Sequence, residues 1–306
     1  MEETLAGKYG KYFSLMSSLS NAAPVIDATN VFQEANYGTR KIMDEMIAEN
    51  ILPGTRLENV ENFKAFNDAV KGGKRGLILM EHYSNMDLPA LFFQLVRYKE
   101  SWGKELADRI VAIAGMKLNE EEPMVRALAE AFTRVVIYPS RSLKAVEDKN
   151  VPEDVKEAEK KRSRAINLAA MHAMDDCKRR GQAILVFPSG TRYRPGKPET
   201  KRGLREIDSY LRMFDVMILI TINGNCLRIN PASPNDMLSD LVCKDIIIHT
   251  ASPVINCKEF RNGVLTSLPE DDPDPKQKVV DKIMEFFDKQ HDEIEKIRAK
   301  EIADCQ

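Results

Sequence analysis

Three features of the chain predict a mixed α/β fold, a mostly parallel central sheet flanked by helices. From residue 75 onward, short runs such as Gly76-Leu77-Ile78-Leu79-Met80 and Ala183-Ile184-Leu185-Val186-Phe187 are apolar throughout. Runs of this kind suit strands covered on both faces, the usual state of parallel strands. Between them lie longer stretches with apolar side chains at helical spacing, so strand and helix alternate. Before residue 75 helical spacing dominates, which predicts an N-terminal helical domain over 1–74 and an α/β domain over 75–306.

In chain order, residues 30–50 read as a helix with Asn30 as its cap, and 59–71 as a second helix stopped at Gly72-Gly73. Strands are expected at 76–81, Arg109 to Ala114, Arg134 to Tyr138, 183–187, Val216 to Ile222 and Asp245 to His249. Helices are expected at 88–99, 121–132, 153–180 and 204–213. The acidic, proline-bearing stretch Pro269 to Pro275 reads as an exposed loop before a charged C-terminal helix over 276–300.

Composition narrows the function. The 306 residues are 30% charged and 43% apolar, as in an ordinary globular protein, and can bury one large core or a core plus a smaller domain. A net charge of -2 argues against bulk nucleic-acid binding. No apolar run approaches the roughly 18–20 residues of a bilayer span, and the first residues lack the pattern of a signal peptide. Cys177, Cys226, Cys243, Cys257 and Cys305 show no paired short spacing, so they read as reduced thiols and not as a zinc site or disulfide frame. The expectation is a soluble intracellular protein without a bound metal.

The strongest chemical signal is Glu81-His82-Tyr83-Ser84-Asn85-Met86-Asp87, which leaves an apolar strand and enters a helix whose opening turn suits Pro89. A strand-to-helix loop lets Asp87 fold back onto the His82 imidazole. A carboxylate on one ring nitrogen fixes the tautomer and makes the other nitrogen a better base, able to deprotonate a hydroxyl or thiol. The plainer reading is a capping aspartate beside an incidental histidine.

A second constellation follows the strand at 183–187. It is Phe187-Pro188-Ser189-Gly190-Thr191-Arg192-Tyr193-Arg194, with Lys201, Arg202 and Arg205 beyond. Ser189 and Thr191 supply hydroxyls, Gly190 permits close backbone approach, and Arg192 and Arg194 offer planar forks for an anion such as a phosphate monoester. A P-loop it is not, because the glycine spacing is absent; the plainer reading is a solvated basic turn. Arg141, just past Ile137-Tyr138-Pro139-Ser140, adds a cation near another strand end, and Lys117 is a rim candidate. His172 and His249 read as packing or surface residues, His291 as solvated in a charged helix, and Trp102 as a packing residue. Met213, Phe214 and Met217 read as core, and the Lys/Glu alternation over 156–164 as an exposed salt-laced face.

With these residues in place the chain resembles the glycerolipid acyltransferase superfamily, whose members share a His-x4-Asp block and a Phe-Pro-x-Gly-Thr-Arg block. Here they are His82 to Asp87 and Phe187 to Arg192. Ser189, where lysophosphatidate acyltransferases usually carry Glu, and the Arg192-x-Arg194 pair are more similar to the soluble glycerol-3-phosphate acyltransferases of plastids and some bacteria. The family's fourth block usually holds a proline-bearing apolar strand, and Val216 to Ile222 has no proline. The resemblance covers about 75–225.

It implies acyl transfer from acyl carrier protein or coenzyme A thioester to the 1-hydroxyl of sn-glycerol 3-phosphate. His82 would be the base and Asp87 its orienter. Arg141, Arg192 and Arg194 would bind the phosphate, with Ser189, Gly190 and Thr191 at the substrate or oxyanion. No cofactor beyond the thioester co-substrate and no nucleic acid are implied. The setting would be cytoplasm or plastid stroma, with transient contact at a membrane surface. Three rival readings are acylation of 1-acylglycerol 3-phosphate, a serine hydrolase with Ser189 as nucleophile, and a non-catalytic phosphate-ligand binding protein. The hydrolase lacks the Gly-x-Ser-x-Gly elbow.

Overall fold

The computed structural model describes residues 3–120, 123–148 and 152–304. The fold is the mixed α/β one expected, with mostly parallel strands flanked by helices. It separates into two compact units. The first contains Met1–Gly10, Asp44–Ile110 and Gly181–Gln306, and the second Lys11–Met43 and Val111–Arg180. Residues 1–74 are thus shared between the two.

The first unit is built on the strand Gly76–Met80, buried at every residue. Strand Ala183–Val186 pairs with it in parallel on one side and strand Val216–Asn223 in parallel on the other. Strand Ile248–Ala251 runs antiparallel to Val216–Asn223, and Arg56–Glu58 is parallel to Ile248–Ala251. Gly76 has a packing reason: a Cβ there would lie 2.4 Å from Val70 and 2.8 Å from Phe66, so only glycine lets helix Val60–Lys71 lie this close. The C-terminal helix Pro275–Asp304 buries Val279, Val280, Ile283 and Phe287. A small antiparallel sheet joins Glu3–Thr4, Leu241–Val242 and Leu227–Arg228.

The second unit holds Phe32–Gln33 antiparallel to Arg134–Ile137, itself parallel to Ile110–Gly115. Ile26, Val31, Met116, Val136, Tyr138 and Ile166 form its buried cluster. Helix Glu153–Arg179 matches the expected 153–180 closely.

Several boundaries differ for identifiable reasons. The helix expected over 30–50 begins at Tyr37, and the cap is Asn36, whose Oδ1 accepts from Gly38 N at 2.9 Å and Thr39 N at 3.3 Å. Asn30 is instead a turn residue, donating to Val25 O and accepting from Asp27 N. Arg109 closes helix Ser101–Arg109, with its guanidinium donating to Gly181 O. The strand expected over 245–249 starts at Ile248: Asp245 makes an isolated parallel bridge to Ile51, and its carboxylate accepts from Asn225 N and pairs with Arg298. In the stretch expected as a helix over 121–132, residues 121–122 lie outside the described ones, and Pro123–Ala129 is helical. Cys305 also lies outside them, and the four described cysteines are free. Trp102, Phe214 and Met217 are buried, as expected. Among the described residues no helix is long and apolar enough to cross a membrane.

Candidate active site

Two motifs about a hundred residues apart meet because their strands are parallel neighbours. The register Leu77 with Ile184, Ile78 with Leu185 and Leu79 with Val186 brings both carboxyl ends to one edge, where ligands gather in open α/β sheets. The loops touch there. The His82 imidazole stacks on the Phe187 ring with centroids 4.0 Å apart, and Tyr193 donates its amide to His82 O at 2.7 Å.

Asp87 is the first residue of helix Asp87–Val96, so its carboxylate sits at the positive end of the helix dipole. Its Oδ2 accepts from the amides of Tyr83 at 2.6 Å and Ser84 at 2.9 Å, and from His82 Nδ1 at 2.9 Å. Ser84 Oγ donates to Oδ1 at 3.0 Å. With this donor set Asp87 is an acceptor only, which places the imidazole proton on Nδ1 and leaves the Nε2 lone pair for a substrate. The Asp87 side chain is 3% exposed and that of His82 17%, so the orienter is shielded while the base still meets solvent.

In the second loop Gly190 adopts φ +62°, the left-handed region glycine favours, and its amide donates to Phe187 O at 2.9 Å. That amide is therefore engaged within the turn. Ser189 is buried and its hydroxyl donates to Thr191 O at 2.7 Å, so its proton is committed to its own loop. Arg192 is buried against Asp240, with which it forms a close ion pair. Burial raises the Asp240 carboxyl above its ordinary range, and the Arg192 charge counters that. Arg194 donates to Asn235 Oδ1 at 2.9 Å. The loop expected to present two ready guanidinium forks thus uses one to anchor itself. Arg141, in the other unit, is exposed at the second position of helix Ser140–Glu147.

A narrow recess of about 10 Å³, room for about one water, lies beside His82 and is lined by Glu81, Tyr83, Ser189, Lys201, Met284 and Phe287 among others. Read from the sequence, Glu81, Tyr83, Met284 and Phe287 carry no assigned role. Lys201 Nζ pairs with Asp288 at 2.6 Å; burial pulls its pKa down, but the Asp288 and Glu81 charges hold it above the ordinary lysine value. Glu81 accepts from Ile222 N at 2.9 Å, from Tyr83 Oη at 2.9 Å and from His291 Nδ1 at 3.0 Å. Burial, then the Glu81 charge, hold the Tyr83 phenol well above its ordinary range. His291 is therefore not solvated as expected. A signal was available: Ile283, Phe287 and His291 follow at i, i+4 and i+8, one face of a helix.

Comparison with protein families assigns the class. A family model described as Acyltransferase matches residues 54–219, more than half of the chain, and the protein belongs to that family. No curated protein matches the chain. Among solved structures it is similar to the 1-acyl-sn-glycerophosphate (LPA) acyltransferase PlsC from Thermotoga maritima. The two are 13% identical over 92% of this chain and 88% of that one, with a TM-score of 0.37.

Proposed function

We propose that this acyltransferase moves an acyl group from a thioester of coenzyme A or acyl carrier protein to a hydroxyl of a glycerol phosphate, with the His82–Asp87 pair as its base. The observation that carries the reading is the hydrogen bond from His82 Nδ1 to a carboxylate that three further donors already hold in place. Nε2 takes the hydroxyl proton as the oxygen attacks the thioester carbonyl, and Asp87 stabilises the resulting imidazolium. The tetrahedral intermediate collapses by breaking the carbon–sulfur bond, and the imidazolium returns the proton to the departing thiolate. No acyl-enzyme is needed, which agrees with Ser189 spending its proton on Thr191 O.

The first acceptor is the 1-hydroxyl of sn-glycerol 3-phosphate, following Ser189 and the Arg192-x-Arg194 pair. Arg194 is the guanidinium assigned to its phosphate; Arg192 would reach it only by leaving Asp240. The role of Arg141 rests on the resemblance alone. A second acceptor, 1-acylglycerol 3-phosphate, is favoured by a specific observation: Met284 and Phe287 give the recess beside His82 an apolar wall. Thiol release from acyl-coenzyme A and acyl carrier protein, measured with each acceptor, tests the proposal. His82→Ala is expected to lose on the order of 10³-fold or more in kcat with acceptor binding retained. Equal turnover in parent and variant would remove His82 from the chemistry.

A further inference from the structure

The imidazole assigned as base is pinned on its own account by Asp87 and Phe187, while Tyr193 N holds the His82 carbonyl. The peptide that carries it has a separate support. Glu81 and Tyr83 flank His82, and the Tyr83 hydroxyl donates to the Glu81 carboxylate. Ile222, on the neighbouring strand, donates its amide to the same group, and so does His291 from the C-terminal helix, 210 residues away in sequence. The Glu81 side chain is 3% exposed. A carboxylate so placed is costly unless its lone pairs are filled, and here three donors converge on it. As an acceptor only, Glu81 fixes the His291 proton on Nδ1.

His291 is itself held firmly. Asn223 donates to its carbonyl at 3.0 Å. Its neighbour Gln290 donates to Thr221 Oγ1 at 2.9 Å and to Thr250 O at 2.8 Å. The C-terminal helix is therefore stitched to the strand beside the His82 strand and to the next strand out, and its position is passed on to the residue before the base.

We propose that Glu81 is a positioning residue for His82 and that His291 is the donor that keeps Glu81 in place, making the C-terminal helix part of the acyl-transfer site. This rests on the acyl-transfer reading. Loss of the His291 donor leaves the buried carboxylate one partner short. The loop then rearranges to regain a partner and carries Nε2 away from the hydroxyl it must deprotonate. Misplacement of a reacting group by about 1 Å costs up to about 100-fold in rate. The loss belongs in kcat, because the groups that bind acceptor and thioester are untouched.

The test uses the full chain with His291→Phe, His291→Asn and Tyr83→Phe. Asparagine carries an amide nitrogen near the place of Nδ1 and restores the donor; phenylalanine does not. His291→Phe is expected to lower kcat by about 10- to 100-fold with both KM values within about twofold, and His291→Asn to recover most of it. Tyr83→Phe removes a second donor to the same carboxylate, in a cluster where the Tyr83 hydroxyl also lies 3.3 Å from His291 Nδ1, and is expected to lower kcat in the same way. The chain has four histidines, so the His82 side-chain ¹H–¹⁵N signals are identified by their loss in His82→Ala. They are expected to shift in His291→Phe and return in His291→Asn. Unchanged kcat with unmoved His82 signals, or a loss that asparagine does not rescue, overturns the proposal. A parent inert toward both acceptors removes the acyl-transfer reading, while the His82 signals still decide whether Glu81 and His291 position that ring.

Discussion

The buried histidine on strand Ile248–Ala251 makes acid sensitivity a quantitative expectation. His249 is fully buried, and its ring nitrogens make no well-formed hydrogen bond, only a weak approach to the Asp87 backbone. Burial drives its pKa down from 6.5 to about 4, against the opposing pull of the Asp87 charge. The unfolded chain takes up this proton near pH 6.5, whereas the folded chain refuses it until about pH 4. Between those values the unfolded state binds more protons, so stability falls as the pH falls through the window and levels off below it. The gap from 6.5 to about 4, at about 1.4 kcal/mol per pH unit, makes a loss of about 3 kcal/mol. His249→Leu removes the titration along with the two poorly satisfied nitrogens, and near pH 7.5 its stability is expected within about 1 kcal/mol of the parent. Urea unfolding of both proteins at pH 7.5, 6.5, 5.5 and 4.5 measures the difference, which should grow toward acid by most of that amount with unchanged m-values. A parent–variant difference that stays constant with pH refutes the reasoning, as does a folded-state imidazole titrating near 6.5 by NMR.

Three other perturbations probe the site and its supports. Asp240→Asn leaves the Arg192 guanidinium buried without its counterion and is expected to cost about 3–5 kcal/mol in urea unfolding; a loss below about 1 kcal/mol would show that the pair is dispensable. Gly224→Ala meets a backbone at φ +88° and puts a Cβ 1.9 Å from Ile246 O, so the backbone must shift. A cost of about 2 kcal/mol or more, read as a lower Tm, is expected. Asp87→Asn keeps the shape but frees the imidazole to take the other tautomer. It is expected to lower kcat on the order of 10³- to 10⁴-fold, with acceptor KM nearly constant.

Much of this arrangement is legible in the sequence. Gly76 to Met80 and Ala183 to Val186 read as strands because their apolar runs are continuous, and their burial at every position is the reason. The His82–Asp87 pair was legible because its geometry is local: five residues and a helix start are enough to close it. Arg192 was not. A basic loop looks available until its counterion is known, and Asp240 lies 48 residues on, in a stretch with no periodic signal. Glu81 escaped notice for the same reason, since two of its three donors come from other elements. His291 could have been found, because it continues the buried face set by Ile283 and Phe287, but the surrounding charge masked that spacing. Long-range polar pairing depends on topology, and periodicity does not carry it.

Parallel pairing of Gly76–Met80 with Ala183–Val186 also bears on how such a chain can change over time. Everything from Val111 to Arg180 is strung between two adjacent strands, and it belongs to the other compact unit. The entropy of closing a connection rises only by about 0.6 kcal/mol for each doubling of its length. Segments can thus be gained or lost there at little thermodynamic penalty to the meeting of imidazole and arginine loop. Register has no such latitude: sliding one strand by a single residue would turn its side chains to the opposite face of the sheet. Distance along the chain is free to drift, and alignment across it is not.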